Sequence, residues 1–179
     1  MSSPTLIANI FLRLNTEDSE SESLCQDYLL PVLSPAKLTA LVYFAQGWSL
    51  ALNKERLFEE MPAVSQNGLT YSSLGIALQP FRKRAQGIAS DYRIPAAESE
   101  SSLSLEQHAY LSFVWQAYRE YSGAELMKTI TRRGTPWAAA KAAGLSYLKE
   151  QQIYAYFQFL STVQINPSAI ENQNIYLEY

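Results

Sequence analysis

His108 is the chain's one histidine and Cys25 its one cysteine, so little chemistry is open to this sequence from the start. A single imidazole and a single thiol cannot assemble a four-ligand Cys/His zinc site, and one cysteine excludes an intramolecular disulfide. His108 falls in a helical stretch two residues before Tyr110, with no nucleophile spaced to pair with it. A surface or half-buried helix position accounts for it better than general acid–base work. Cys25 lies among Leu24, Tyr28 and Leu29, the setting of a small buried hydrophobe rather than of an activated thiolate. The phosphate-cradling loop, the dinucleotide turn and the paired-histidine zinc helix are all missing from the sequence. Gly47-Trp-Ser49-Leu-Ala51 stops one residue short of a nucleophile elbow and sits inside a helical pattern. The expectation is a non-enzymatic chain with no cofactor and no metal.

Two basic clusters stand out in an otherwise acidic chain: Arg82-Lys83-Arg84 and Arg132-Arg133. Each reads as helix-end solvation, with cations near carboxyl ends, or as a local surface for an anionic partner. The aromatic content is more unusual, with 12 tyrosines, 7 phenylalanines and 3 tryptophans. Tyr, Trp and Arg dominate binding hot spots, which points to a protein-binding surface. The competing reading is that Tyr110, Tyr118, Tyr121, Tyr154 and Tyr156 border a core with their hydroxyls in water.

The elements that must position these side chains are mostly helical, because the breakers fall between segments of helical period. A first helix follows Pro4, carries Leu6, Ile7, Ile10, Phe11 and Leu14, and ends before the acidic run from Glu17 to Glu22, which has nothing apolar to bury. The clearest helix spans Pro35 to Asn53, capped by Ser34, with Leu38, Leu41, Val42, Ala45, Trp48 and Leu52 on one stripe. Leu38, Leu41, Tyr43, Phe44, Ala45 and Trp48 are the expected structural core of this central helix.

Asn67-Gly68 is a turn signal between short segments that pair as a small hairpin. A helical segment from Tyr71 to Arg84 follows and is divided by Pro80. Gly87 to Ser102 reads as the longest internal connection. Ser104 with Gln107 and Ser122 with Glu125 have capping-box spacing and open two further helices. The first of these carries Tyr110, Leu111, Val114, Trp115, Tyr118 and Tyr121. After Gly134-Thr-Pro136, Trp137 opens an Ala-rich helix, and a last one turns Ile153, Tyr156, Phe157 and Leu160 inward.

These elements imply a mainly α, single-domain bundle of about six helices with a small β-hairpin over residues 1–164, and a C-terminal tail over 165–179. The chain has 179 residues, is 47% hydrophobic and carries a net charge of -3. Such a charge gives no overall pull toward nucleic acid or anionic membrane. No stretch approaches the roughly 18 apolar residues of a spanning helix. A cytoplasmic protein that binds neither nucleic acid nor membrane is expected.

At Lys37-Leu-Thr-Ala-Leu-Val-Tyr-Phe-Ala-Gln-Gly-Trp-Ser-Leu-Ala51, followed by Leu57-Phe58-Glu-Glu60, the chain resembles the Panacea-domain family of SocA-like and GepA-like antitoxins. Ala124-Glu125-Leu126, Thr131, Pro136-Trp137 and a last helix with Ile153, Tyr156 and Phe157 follow in the family's order. The chain departs from the family in having Gly68-Leu69-Thr70 in place of a Gly-Pro-Val turn, and Thr131-Arg132 in place of a Thr-His pair. The resemblance implies a small helical bacterial or prophage protein that binds and neutralises a cognate protein toxin. Two other roles are compatible with it: an adaptor that delivers a toxin to a AAA+ protease, and a phage-associated regulator. Together with the basic pair, the resemblance gives Gly68, Tyr71, Arg132, Arg133 and Trp137 as partner-contacting residues.

Overall fold

A computed structural model describes residues 2–22, 33–81, 87–89 and 92–164. Cys25, the triplet Arg82-Lys83-Arg84 and the tail over 165–179 lie outside the described residues. The fold is mainly helical, with seven α-helices and one two-stranded antiparallel sheet among the described residues. The helices are α1 (Pro4–Glu22), α2 (Pro35–Asn53), α3 (Ser72–Ala77), α4 (Leu105–Tyr118), α5 (Gly123–Thr131), α6 (Pro136–Ala142) and α7 (Glu150–Gln164). The strands are β1 (Ala63–Ser65) and β2 (Gly68–Thr70).

Helix α2 is buried almost all round, as suits the axis of a bundle. It packs on α7, α5, α1 and α4. The Ser34 side chain accepts from the Lys37 amide, and Lys54, in the left-handed region at φ 58°, closes the other end by donating its amide to the Leu50 carbonyl. Leu38, Leu41, Tyr43, Phe44, Ala45 and Trp48 are all buried. Gly47 is required where α7 crosses α2, because a Cβ there would lie 2.2 Å from Cε2 of Phe157.

Helix α1 does not stop at the acidic run but continues to Glu22. Arg13 pairs with Glu17 one turn on, at 2.6 Å, and Asp18 is fastened to α4 by Trp115 and Arg119. Tertiary partners thus extend the helix through a segment with no apolar stripe of its own. The described part of the long connection before α4 is strapped to α1 at two points, Ile94 and Glu100. Asn9 accepts from the amide of Ile94 and donates to its carbonyl, each at 2.8 Å, and Arg13 also bonds Glu100.

The hairpin pairs Ala63 with Thr70 and Ser65 with Gly68, so its two-residue turn is Gln66-Asn67 and Gly68 opens β2. The turn therefore sits one residue earlier than the Asn-Gly signal suggests. The other edge of β1 is covered where the Val64 amide donates to the Ser146 carbonyl at 2.8 Å. Pro80 divides the next helical segment: α3 ends at Ala77 and a short 3₁₀ turn covers Gln79–Phe81. Both expected capping boxes form, Ser104 with Gln107 and Ser122 with Glu125.

Candidate functional site

The basic pair and the Pro-Trp segment meet the hairpin where α5 turns into α6. Thr135 caps α6 by accepting from the Ala138 amide, and Pro136 presets the first turn, so Trp137 is directed inward at a fixed angle. Its indole Nε1 donates to the Gly68 carbonyl at 2.8 Å, and Lys141 lies 4.4 Å from its ring centroid while donating to the Gln66 carbonyl. Gly68 has φ +152° and the Met127 sulfur 2.8 Å from where a Cβ would stand, so a side chain fits poorly there. Trp137 is only 8% exposed, Tyr71 is fully buried, and Gly68 is buried as well.

Three of the five residues taken as partner contacts are therefore buried: Trp137 braces the hairpin through Gly68, and Tyr71 packs edge-on against Phe58 at 5.5 Å. Burial makes them supports rather than contact surface. Arg132 and Arg133 are exposed and share this end of the molecule with exposed Lys128 and Lys141. The Arg132 guanidinium donates through Nη2 to the Tyr156 hydroxyl at 3.4 Å, while the residue as a whole stays exposed.

Behind this rim lies a layer of rings centred on Phe157, which meets Tyr43, Trp48 and Tyr156 edge-on at centroid distances of 5.2 to 5.5 Å. Phe44 stacks on Tyr118 at 4.3 Å, and the Tyr118 hydroxyl accepts from Trp48 Nε1 at 2.8 Å. The Tyr110 hydroxyl donates to the Ala45 carbonyl. Burial pushes the Tyr43, Tyr71, Tyr110 and Tyr118 hydroxyls above the usual tyrosine range, so all four stay protonated and neutral at pH 7 and above it. Tyr43 and Tyr71 are core residues, the Tyr71 hydroxyl buried without a hydrogen-bond partner, and Tyr110 and Tyr118 pack against the core and bond to α2, whereas Tyr121 is half exposed.

Gln46 explains the polar residue in the middle of the Tyr-Phe-Ala-Gln-Gly-Trp run. It is fully buried, accepting from the Leu57 amide at 2.9 Å and donating to the Phe58 carbonyl at 3.1 Å. It thereby satisfies a segment that belongs to no helix or strand. Ser49 is likewise structural, donating to the Glu55 carbonyl from within α2, and this disposes of the elbow-like match. His108 is half-buried with Nε2 3.3 Å from the Glu100 carbonyl oxygen. No group of three metal-ligating side chains occurs among the described residues.

The cluster that sequence reasoning missed joins Lys37, Trp115, Arg119 and Asp18. Lys37 is buried, donates to the Arg119 carbonyl, and places its ammonium 5.6 Å from the Trp115 ring centroid. Asp18 accepts from Trp115 Nε1 at 2.6 Å and from Arg119 at 2.7 Å. Burial lowers the Lys37 ammonium to a pKa of about 8. The signal was available: Lys37 lies one and three turns before Leu41 and Trp48 on the buried face of α2.

With this geometry in view, no family model, curated protein or solved structure matches the chain. No helix among the described residues is long and apolar enough to cross a membrane.

Proposed function

We propose that this chain is a non-enzymatic, cytoplasmic antitoxin of the Panacea kind, which neutralises a cognate protein toxin by binding it directly. The observation that carries the reading is that the residues of the resemblance form one interlocked unit. Gln46 holds Leu57 and Phe58, Gly47 admits Phe157, and Trp137 holds Gly68. The unit presents a rim of exposed cations, Lys128, Arg132, Arg133 and Lys141. Such a rim suits an acidic patch on the toxin, and the ring layer behind it supplies a rigid base that keeps the ordering cost of binding low.

The test is affinity capture of the tagged chain from its native lysate, followed by expression of the captured protein alone and together with this chain. A stoichiometric partner that arrests growth alone and is tolerated with the chain supports neutralisation. Capture of a protease with a second protein that disappears on co-expression assigns the adaptor role instead. A partner that is harmless when expressed alone overturns the toxin reading.

A further inference from the structure

A helix on the surface of a globular protein needs one apolar face, and α4 has two. Leu111, Val114 and Trp115 are buried against the bundle. On the outside, Leu105, Ala109, Phe113 and Ala117 follow one another at i, i+4 spacing, all exposed, and Tyr121 continues the line in the turn beyond the helix. Leu105 is 87% exposed, Phe113 61% and Tyr121 50%. None of these large apolar groups is buried by the described residues, and contiguous exposed apolar surface marks an interaction site.

Charge indicates what covers this face. The polar groups that share its solvent side are Glu106, Gln116 and Glu120, with no exposed cation on the helix. At its amino end an open cleft of about 420 Å³ is lined by Asn53, Glu55, Ser104, Glu106 and Gln107, two carboxylates among five oxygen-bearing side chains. We infer that the outer face of α4 docks a cationic amphipathic helix of another protein, its apolar stripe on Phe113 and a lysine or arginine in the Glu55–Glu106 cleft. A second copy of this chain fits less well. Antiparallel pairing about Phe113 would set Glu106 against Glu120, like charge against like.

This surface is acidic and apolar where the Arg132–Arg133 rim is basic, so it takes a different occupant, and its test does not depend on the toxin reading. The probe is a synthetic Leu/Lys amphipathic peptide of about 18 residues, long enough at 1.5 Å per residue to lie along α4. It is compared with a version carrying Glu for Lys and a version carrying Ser for Leu. Binding is followed by amide chemical-shift mapping and calorimetry at two salt concentrations.

The Leu/Lys peptide is expected to shift amides over 105–121, to bind more weakly as salt rises, and to lose at least roughly tenfold in affinity against Phe113→Ser. Glu106→Lys with Glu120→Lys, an exposed change that leaves the stripe intact, is expected to weaken it comparably. Equal binding of the Glu version, shifts away from α4, or no binding would each overturn the proposal. A wild-type dimer in sedimentation that is lost in Phe113→Ser would overturn it in favour of self-association.

Discussion

The indole N–H of Trp137 donates to the carbonyl oxygen of Gly68 at 2.8 Å and ties the start of α6 to the start of β2. The same oxygen accepts from the Ser65 hydroxyl, so the hairpin's closing residue is held from both sides. Trp137→Phe keeps most of the packing and removes one bond. It should cost about 1 to 2 kcal/mol in denaturant unfolding, whereas Arg132→Glu should stay within about 0.5 kcal/mol of wild type. Equal stability of Trp137→Phe and wild type would show that the indole is not what holds the hairpin.

Gly47→Ala should destabilise by about 1 to 3 kcal/mol or more, since its methyl would occupy the ring position of Phe157. Phe157→Leu in the same chain should recover part of that loss, giving a coupling energy of at least about 0.5 kcal/mol in a double-mutant cycle. Simple additivity of the two changes would deny the close approach of α2 and α7.

Gln46→Leu replaces a side chain that satisfies two buried backbone groups, the Leu57 amide and the Phe58 carbonyl. Leaving each unpaired costs about 1 to 3 kcal/mol, so this conservative-looking change should rank among the most damaging in α2. Hydrogen exchange at the Leu57 amide reads it directly and should accelerate well beyond the change in global stability.

The Lys37 ammonium, held by burial at about 8 against an ordinary lysine value of 10.5, gives stability a pH dependence. Between those values the unfolded chain binds more protons than the folded one, so stability should rise as pH rises from about 8. Below that range lysine is charged in both states and contributes no slope. The buried tyrosines act in the opposite sense above about pH 10, where the unfolded chain loses phenolic protons that the folded chain keeps. Urea unfolding from pH 7.5 to 9.5 should therefore show a positive slope in wild type that is flat in Lys37→Met. A slope that persists in Lys37→Met would place its source elsewhere.

Much of this architecture was legible because local signals agreed with one another. Ser34, Ser104 and Ser122 each precede an apolar period and each caps its helix. What was not legible depends on contacts distant in sequence. The run from Glu17 to Glu22 has no apolar residue, and its helical state rests in part on Asp18 meeting Trp115 and Arg119. Trp137 resembles a surface anchor until the hairpin closes over it. Tyr110 and Tyr118 resemble a wet rim until Ala45 and Trp48 are seen to take their hydroxyls. The outer stripe of α4 was written at plain i, i+4 spacing, but the inner stripe on the same helix masked it.

The most direct test of the central claim is growth of cells expressing the captured partner, with its steady-state level followed, in the presence of wild-type chain or of the Arg132→Glu, Arg133→Glu variant. Direct neutralisation predicts that wild type restores growth with the partner's level unchanged and the two proteins copurifying, and that the folded variant fails on both counts. Growth that returns only as the partner is degraded, or that the variant restores equally well, would contradict it.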